Sequence, residues 1–458
     1  MTRTKTIVLL ILSIFAMLQV DAQETYSLQK CIGYALENNN NIKKSKLEKD
    51  KSLESRREIL GSLLPQLSGS GSFNYNLKKP QFVMPNFVND MLPPAMQDPN
   101  ASKYMTIEMG TNYSAGVGAA LNQQILNFTL FNTLEIAKTA EAMASLGIES
   151  KEEEVIGQTA TLYFAVQSTT YAAKQLEQSI QLIDKMLATM EVNYQNGLVK
   201  KVDLDRLKVN RVNLATQQSA IQNAIEVQKN LLKLQMGFDM LQPLAIEDID
   251  LKFFEQKAEE PNLQGFELNQ LIPFQIMQQQ QKIGNLQIKS VKSELLPSLT
   301  LGVNYQYNLL GDKVFSSKDS YTYPSSAIGL NLRVPIFAGM SKNAKLKGAQ
   351  IEQMKLKEDE QILHRSLTMA YQNALLKLND SKQTIDAQQQ NMALASEVFR
   401  ISEASFQQGL ASLSDVLNAN SSLIQSQISY ADALSKYMSA YIELRKANGT
   451  IKNLKNSK

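Results

Sequence analysis

The residue types that most often carry chemistry are scarce in this chain: Cys31 and His364 occur once each. A single thiol forms no internal disulfide and a single imidazole builds no His-rich metal centre, so chemistry that needs several of either is excluded. Cys31 lies in the pattern Leu28, Cys31, Ile32, Ala35, Leu36, the apolar face of a helix, and reads as a buried thiol. His364, within EQILHRSLTMAYQ (360–372), reads as a helix-surface or packing residue. Glu152, Glu153 and Glu154 form a charge run on a solvated helix. The glycines at 110–118 match no phosphate-binding loop and suit strand curvature or close packing. No nucleophile, base and orienter can be assembled, so neither an enzyme nor a cofactor or metal site is expected. Two carboxylates remain, Asp203 and Asp415. They occupy matching places in NYQNGLVKKVDLDR (193–206) and SFQQGLASLSDVLN (405–418), where Gly197 aligns with Gly409 at an offset of 212 residues. At such turns helix N-capping is the plain role for an aspartate.

The elements around these turns follow from composition. The chain has 458 residues, 47 Lys+Arg against 44 Asp+Glu and a formal net charge of +3, with no basic patch interleaved with aromatics; no nucleic-acid partner is expected. Arg3 and Lys5 precede the apolar run IVLLILSIFAMLQV (7–20) and Asp21-Ala22. That run is shorter than the roughly 20 residues of a spanning helix, so 1–22 reads as a secretory signal peptide, with a retained anchor as the alternative. No cysteine stands at the cleavage point to carry a lipid, and no later segment offers a helical span.

Of 12 prolines, none falls between Pro99 and Pro243 or after Pro335. Proline costs about 3 kcal/mol inside a helix, so these tracts are informative. They predict very long helices from about Phe128 to Asn196 and Lys342 to Gln408, with Gly147 and Gly157 the weak points of the first. Shorter helices follow near 204–236 and 414–447, and others precede near 28–63 and 267–295. Gly197 and Gly409 suit the left-handed residue that closes a long helix.

Period-two alternation predicts four strands, at 66–77, 105–123, 298–308 and 323–335, each with an apolar side and a polar or glycine side. This fits either a sheet on a soluble core or barrel strands between lipid and water. Duplication favours the second. Leu64-Pro65, followed by SGSGSFNY (68–75), recurs as Leu296-Pro297 followed by SLTLGVNYQY (298–307), and AALNQQILNF (119–128) resembles AIGLNLRVPIF (327–337). Each half thus reads helix, strand, loop, strand, very long helix, turn, shorter helix. Four strands close no transmembrane barrel, which needs about eight or more, so strands must be pooled between copies. Two copies would give eight strands and three would give twelve; composition does not choose. The long helices carry thin apolar stripes of Ala, Leu, Ile and Met, suited to packing side by side as the wall of a hollow tube.

Over nearly its whole length after residue 22, the chain resembles the TolC-like outer-membrane efflux family. The resemblance rests on YSLQKCIGYALENNNNIKKSK (26–46), LLPQLSGSGSFNY (63–75), ELLPSLTLGVNYQY (294–307), LRVPIFAGMSKNAKL (332–346) and FQQGLASLSDVLNANSSLIQSQ (406–427). It implies a mixed fold in which very long helices form a trimeric α-barrel, continuous with a twelve-stranded transmembrane β-barrel of four strands per chain. The implied organisation is a first repeat at 23–236, an equatorial segment at 237–266, a second repeat at 267–448 and a tail at 449–458 that joins the equatorial belt. The insert 78–104 and the segment 309–322 would be extracellular loops. The implied function is a passive exit duct in the outer membrane, extending into the periplasm. Its implied partners are two further copies of the chain, outer-membrane lipid, a periplasmic adaptor and an inner-membrane transporter of the RND or ABC type. A stand-alone passive channel and a soluble periplasmic helical adaptor are the alternatives.

The resemblance also assigns the turn residues. Asp415 matches an acidic ring at the periplasmic entrance, while Asn418 stands where the best-known member has a second acid. Phe406 replaces a latch tyrosine, Ala411 its arginine neighbour, and Asp203 matches the aspartate partner of the first repeat. A tip closed more by packing than by a polar latch is therefore expected, and crowded Asp415 carboxylates should have raised pKa values. Gly197, Leu198, Lys200, Lys201, Gly409 and Leu410 would form the adaptor-docking surface.

Overall fold

The computed structural model describes residues 25–249, 266–313 and 320–455. The expected signal peptide, 1–22, lies outside them, as do residues 250–265 of the expected equatorial segment, 314–319 of the expected second loop and 456–458 of the expected tail. In chain order the elements are β1 (Thr25–Tyr26), α1 (Leu28–Asn38), α2 (Asn40–Gly61), β2 (Gln66–Tyr75), β3 (Gln81–Pro85) and a short α3 (Phe87–Met91). Then come β4 (Tyr104–Glu108), β5 (Tyr113–Leu126), α4 (Phe128–Gln195), α5 (Lys201–Met236), β6 (Ala245–Ile246) and α6 (Ile272–Ser293). The last are β7 (Ser298–Gly311), β8 (Ser320–Arg333), α7 (Ser341–Gln407) and α8 (Leu413–Ala447), with single 3-10 turns at Leu268–Gln270 and Ile451–Lys455.

The proline-free tracts are the two longest elements. α4 runs 68 residues and α7 runs 67, each about 100 Å at 1.5 Å per residue. Neither Gly147 nor Gly157 breaks α4. The missing side chain at Gly157 makes room for Ile451, whose Cδ1 lies 3.1 Å from where a Cβ would sit.

Two expected elements are divided. The helix expected over 28–63 stops at Asn39, whose extended backbone ends α1. The Asn39 side chain then caps α2, its Oδ1 accepting from the amides of Asn41 (2.8 Å) and Ile42 (3.4 Å), while its Nδ2 donates to the Gln235 carbonyl at 2.6 Å. The strand expected over 105–123 breaks near Gly110, at φ +110°, into β4 and β5. β4 pairs with β3 as a separate hairpin, because the insert supplies its own partner strand.

The chain forms two compact units. One comprises residues 51–141 and 281–356 and contains the main sheet, antiparallel throughout, in the order β2-β5-β7-β8. Its register sorts the side chains. Leu67, Leu121, Val303 and Ile328 form one transverse row, and Ser70, Gly118, Gln306 and Ser325 form another on the opposite face. Among the described residues nothing covers the apolar face, and Ile328 is 75% exposed. On the polar face Gly116 and Gly118 receive the Gln306 residue. A Cβ at 116 would lie 2.6 Å from Gln306 Nε2, and one at 118 would lie 2.7 Å from the Tyr305 carbonyl. These glycines bring β5 and β7 together on the polar face. β2 and β8 are the sheet's two edges, each paired on one side only among the described residues.

The other unit, 142–280 and 357–458 with the chain's first 50 residues, holds the apolar core. Cys31, Ile32 and Ala35 of α1 meet Val155 and Tyr163 of α4, Leu232 and Met236 of α5, and Leu434, Tyr437 and Tyr441 of α8. Leu244 from the segment after α5 and Ile451 and Leu454 from the last turn join the same cluster. Beside it β1 pairs in parallel with β6. Burial pushes the Cys31 thiol up to about 12, so it is a neutral packing group.

Candidate functional site

Two helix–turn–helix junctions, residues 196–200 and 408–412, have nearly the same backbone. α4 closes with the Gly197 amide on the Tyr194 carbonyl (3.0 Å) and the Leu198 amide on the Asn193 carbonyl (2.8 Å). α7 closes with Gly409 on Phe406 (2.9 Å) and Leu410 on Ser405 (2.8 Å). Each is a Schellman motif with glycine in the left-handed region, φ +73° at Gly197 and +75° at Gly409. The leucine after each glycine would ordinarily fold back on the helix. Instead Leu198 is 73% and Leu410 78% exposed.

The next helices begin differently. Ser412 caps α8: its hydroxyl accepts from the Asp415 amide at 3.3 Å, and Asp415 Oδ2 accepts from the Ser412 amide at 2.9 Å, completing a capping box. These contacts hold the Asp415 carboxyl below the usual aspartate range, with the Ser412 hydroxyl the larger cause. The expected rise from like-charge crowding is thus opposed within the chain itself. In the first repeat the capping position is Lys200, which has no side-chain acceptor to offer. Asp203 sits at the corresponding first-turn position and lies 3.6 Å from Arg206. Lys200, Lys201, Asp415 and Asn418 are exposed, and Asp203 is half-buried.

Phe406 packs between two apolar clusters, one around Leu204, Leu207 and Leu413, the other around Phe399, Val416 and Leu423. With Met186, Met190, Val199, Gly409 and Ala411 it lines a groove of about 610 Å³. Phe406, Gly409 and Ala411 therefore share one surface. Leu198 and Leu410 cap the two turns, and Asp203 and Asp415 mark the first turns of the two following helices.

Sequence reading missed the residue that joins the two junctions. Arg206 Nη1 donates to Ser414 Oγ at 3.3 Å, linking the first turns of α5 and α8. The repeat alignment pairs Arg206 with Asn418, so the signal was a charge present in one half only. Such a cation neutralises one acid of the region and ties together two residues 208 positions apart in the chain. Among the described residues no cluster of His, Cys, Asp or Glu has the arrangement of a metal site.

Comparison with known proteins agrees with this arrangement. Residues 274–450 match the family model described as Outer membrane efflux protein. The chain is 22% identical over 427 residues to the outer membrane protein TolC of Escherichia coli (strain K12), covering 90% of this chain and 80% of that protein. Among solved structures, the Campylobacter jejuni CmeC outer membrane channel superposes with a TM-score of 0.70 at 18% identity, covering 92% of this chain and 85% of the other. The open state of the Neisseria gonorrhoeae MtrE outer membrane channel gives 0.67 at 16% identity, covering 92% and 88%.

Proposed function

The chain belongs to the TolC-like family of outer-membrane efflux proteins, and from that premise we propose that it is the outer-membrane exit duct of a tripartite efflux or type I secretion system. It lies in the outer membrane, extends into the periplasm, and conducts passively without catalysis. It works with a periplasmic adaptor and an inner-membrane transporter. The finer reading is a homotrimer whose twelve strands close one barrel in outer-membrane lipid, served by a transporter of the RND or ABC type.

The observation that carries this reading is the main sheet: four strands, an uncovered apolar face, a polar face and two unpaired edges. In lipid an open edge leaves backbone groups unpaired at several kcal/mol each, so the sheet requires further copies. Native mass measurement of detergent-extracted protein is expected to give three copies; a single water-soluble chain would overturn the reading.

At the turns, Asp415 and Asp203 would set the charge of the periplasmic entrance, with Asn418 a neutral position beside them and Phe406 and Ala411 packing the closed tip. The exposed Leu198 and Leu410, presented by Gly197 and Gly409 and flanked in one half by Lys200 and Lys201, would receive the adaptor. Replacing either glycine by a bulky residue should abolish the resistance or secretion supported by the assembled system while the trimer persists in the membrane. Unchanged transport would remove that turn from the docking surface.

A further inference from the structure

The two sheet edges carry a second feature besides unpaired backbone. Successive strands are antiparallel, so β2 and β8 run in opposite directions, and joining β8 of one copy to β2 of the next continues the alternation. The start of β2 and the end of β8 therefore lie at the same end of the sheet. The transverse row through Gln66 crosses Asn122 and Gly302 and reaches Gly329, so β8 continues past that row to Arg333. Beyond Arg333 the backbone leaves the sheet, yet the apolar alternation Ile328, Leu330, Leu332, Val334, Ile336 goes on. Ile336 is 95% and Phe337 82% exposed, and Met340, at φ +64°, is exposed as well. On the opposite edge the approach to β2 exposes Leu64 (62%) and Leu67.

We propose that in the assembled duct the segment 334–340 of one copy packs on the Leu64–Leu67 approach to β2 of the next copy, forming an apolar clasp beside the joined strand edges. The inference rests on the oligomeric reading above and adds a contact that strand pairing alone does not require. Two exposed apolar stretches flank opposite edges at the same end of one sheet, so edge joining brings them together. A membrane surface is the competing occupant. The lysines that follow the segment argue against it, because Lys342 and Lys345 both donate to the half-buried Glu294 of their own chain and are not turned to lipid phosphates.

Paired cysteines test this in the full chain. The native Cys31 is buried and stays silent. Leu64 and Ile336 of one chain flank opposite edges, and three strand spacings of about 4.8 Å separate those edges, too far for an internal disulfide. The double variant Leu64→Cys/Ile336→Cys, oxidised in outer-membrane vesicles, is expected to give dimer and trimer bands on a non-reducing denaturing gel. Neither single variant should give the trimer band. A trimer by native mass with no cross-linked bands overturns the clasp and leaves segment 334–340 to lipid. A monomer by native mass overturns the oligomeric reading itself. A second variant, Ile336→Asp/Phe337→Asp, changes only exposed side chains and should lower the temperature at which the trimer dissociates; an unchanged temperature also counts against the clasp.

Discussion

Glu153 shows how burial makes a pH-sensitive residue of one member of an acidic run. Burial raises its carboxyl to about 6 against the opposing pull of Lys452 and Lys446, with Glu149 adding to the rise. A carboxyl with a raised folded-state pKa makes the native state the better proton binder. Its contribution is complete below the ordinary value of 4.5 and is lost as pH rises through about 6. Thermal unfolding followed by circular dichroism should therefore show stability lost across that window, with Glu153→Gln losing less of it. Equal slopes for the two proteins would remove Glu153 from the account. From sequence, Glu153 is indistinguishable from Glu152 and Glu154, because burial depends on what packs against α4 from far along the chain. Cys31 was legible, since Leu28, Ile32 and Ala35 mark the helix face it shares. Arg206 was not, since its partner Ser414 is brought near only by the folding of two helices.

At the level of elements, the two junctions differ in capping chemistry although their backbones match. Removing the hydroxyl with Ser412→Ala should cost about 1 kcal/mol and speed hydrogen exchange in the first turn of α8. Lys200→Ser should slow exchange in the first turn of α5 by supplying the missing acceptor. Equal protection before and after both changes would show that neighbouring packing, and not the caps, holds these turns. The long helices were readable because proline and its absence act locally, and α4 and α7 end within a residue of the expected positions. The division of 105–123 was not, because period two persists through both β4 and β5. Which strand each residue joins is decided by β3, a partner invisible in the local pattern.

For the whole molecule, symmetry multiplies small differences. In a trimer each carboxylate of the first turn of α8 becomes three around one axis, and such a ring concentrates cations. Asp415→Asn should lower cation preference in planar-bilayer conductance, and an unaltered reversal potential would place Asp415 away from the constriction. The duplication at an offset of 212 residues made the architecture legible, since each half repeats one order of elements. The number of copies was not, because an unpaired edge states only that a neighbour is missing.

The segment 25–42 has its partners far away: Thr25 and Tyr26 pair with Ala245 and Ile246, Asn39 reaches Gln235, and Cys31 and Ile32 are buried among α4, α5 and α8. While the chain is being made, these residues have nothing native to fold against until more than a hundred more have followed, and their partners in α5, β6 and α8 come later still; contacts so distant in sequence form slowly. A protein bound for the outer membrane must first be threaded unfolded through the inner one, and this delayed closure keeps its leading stretch loose for as long as the passage lasts.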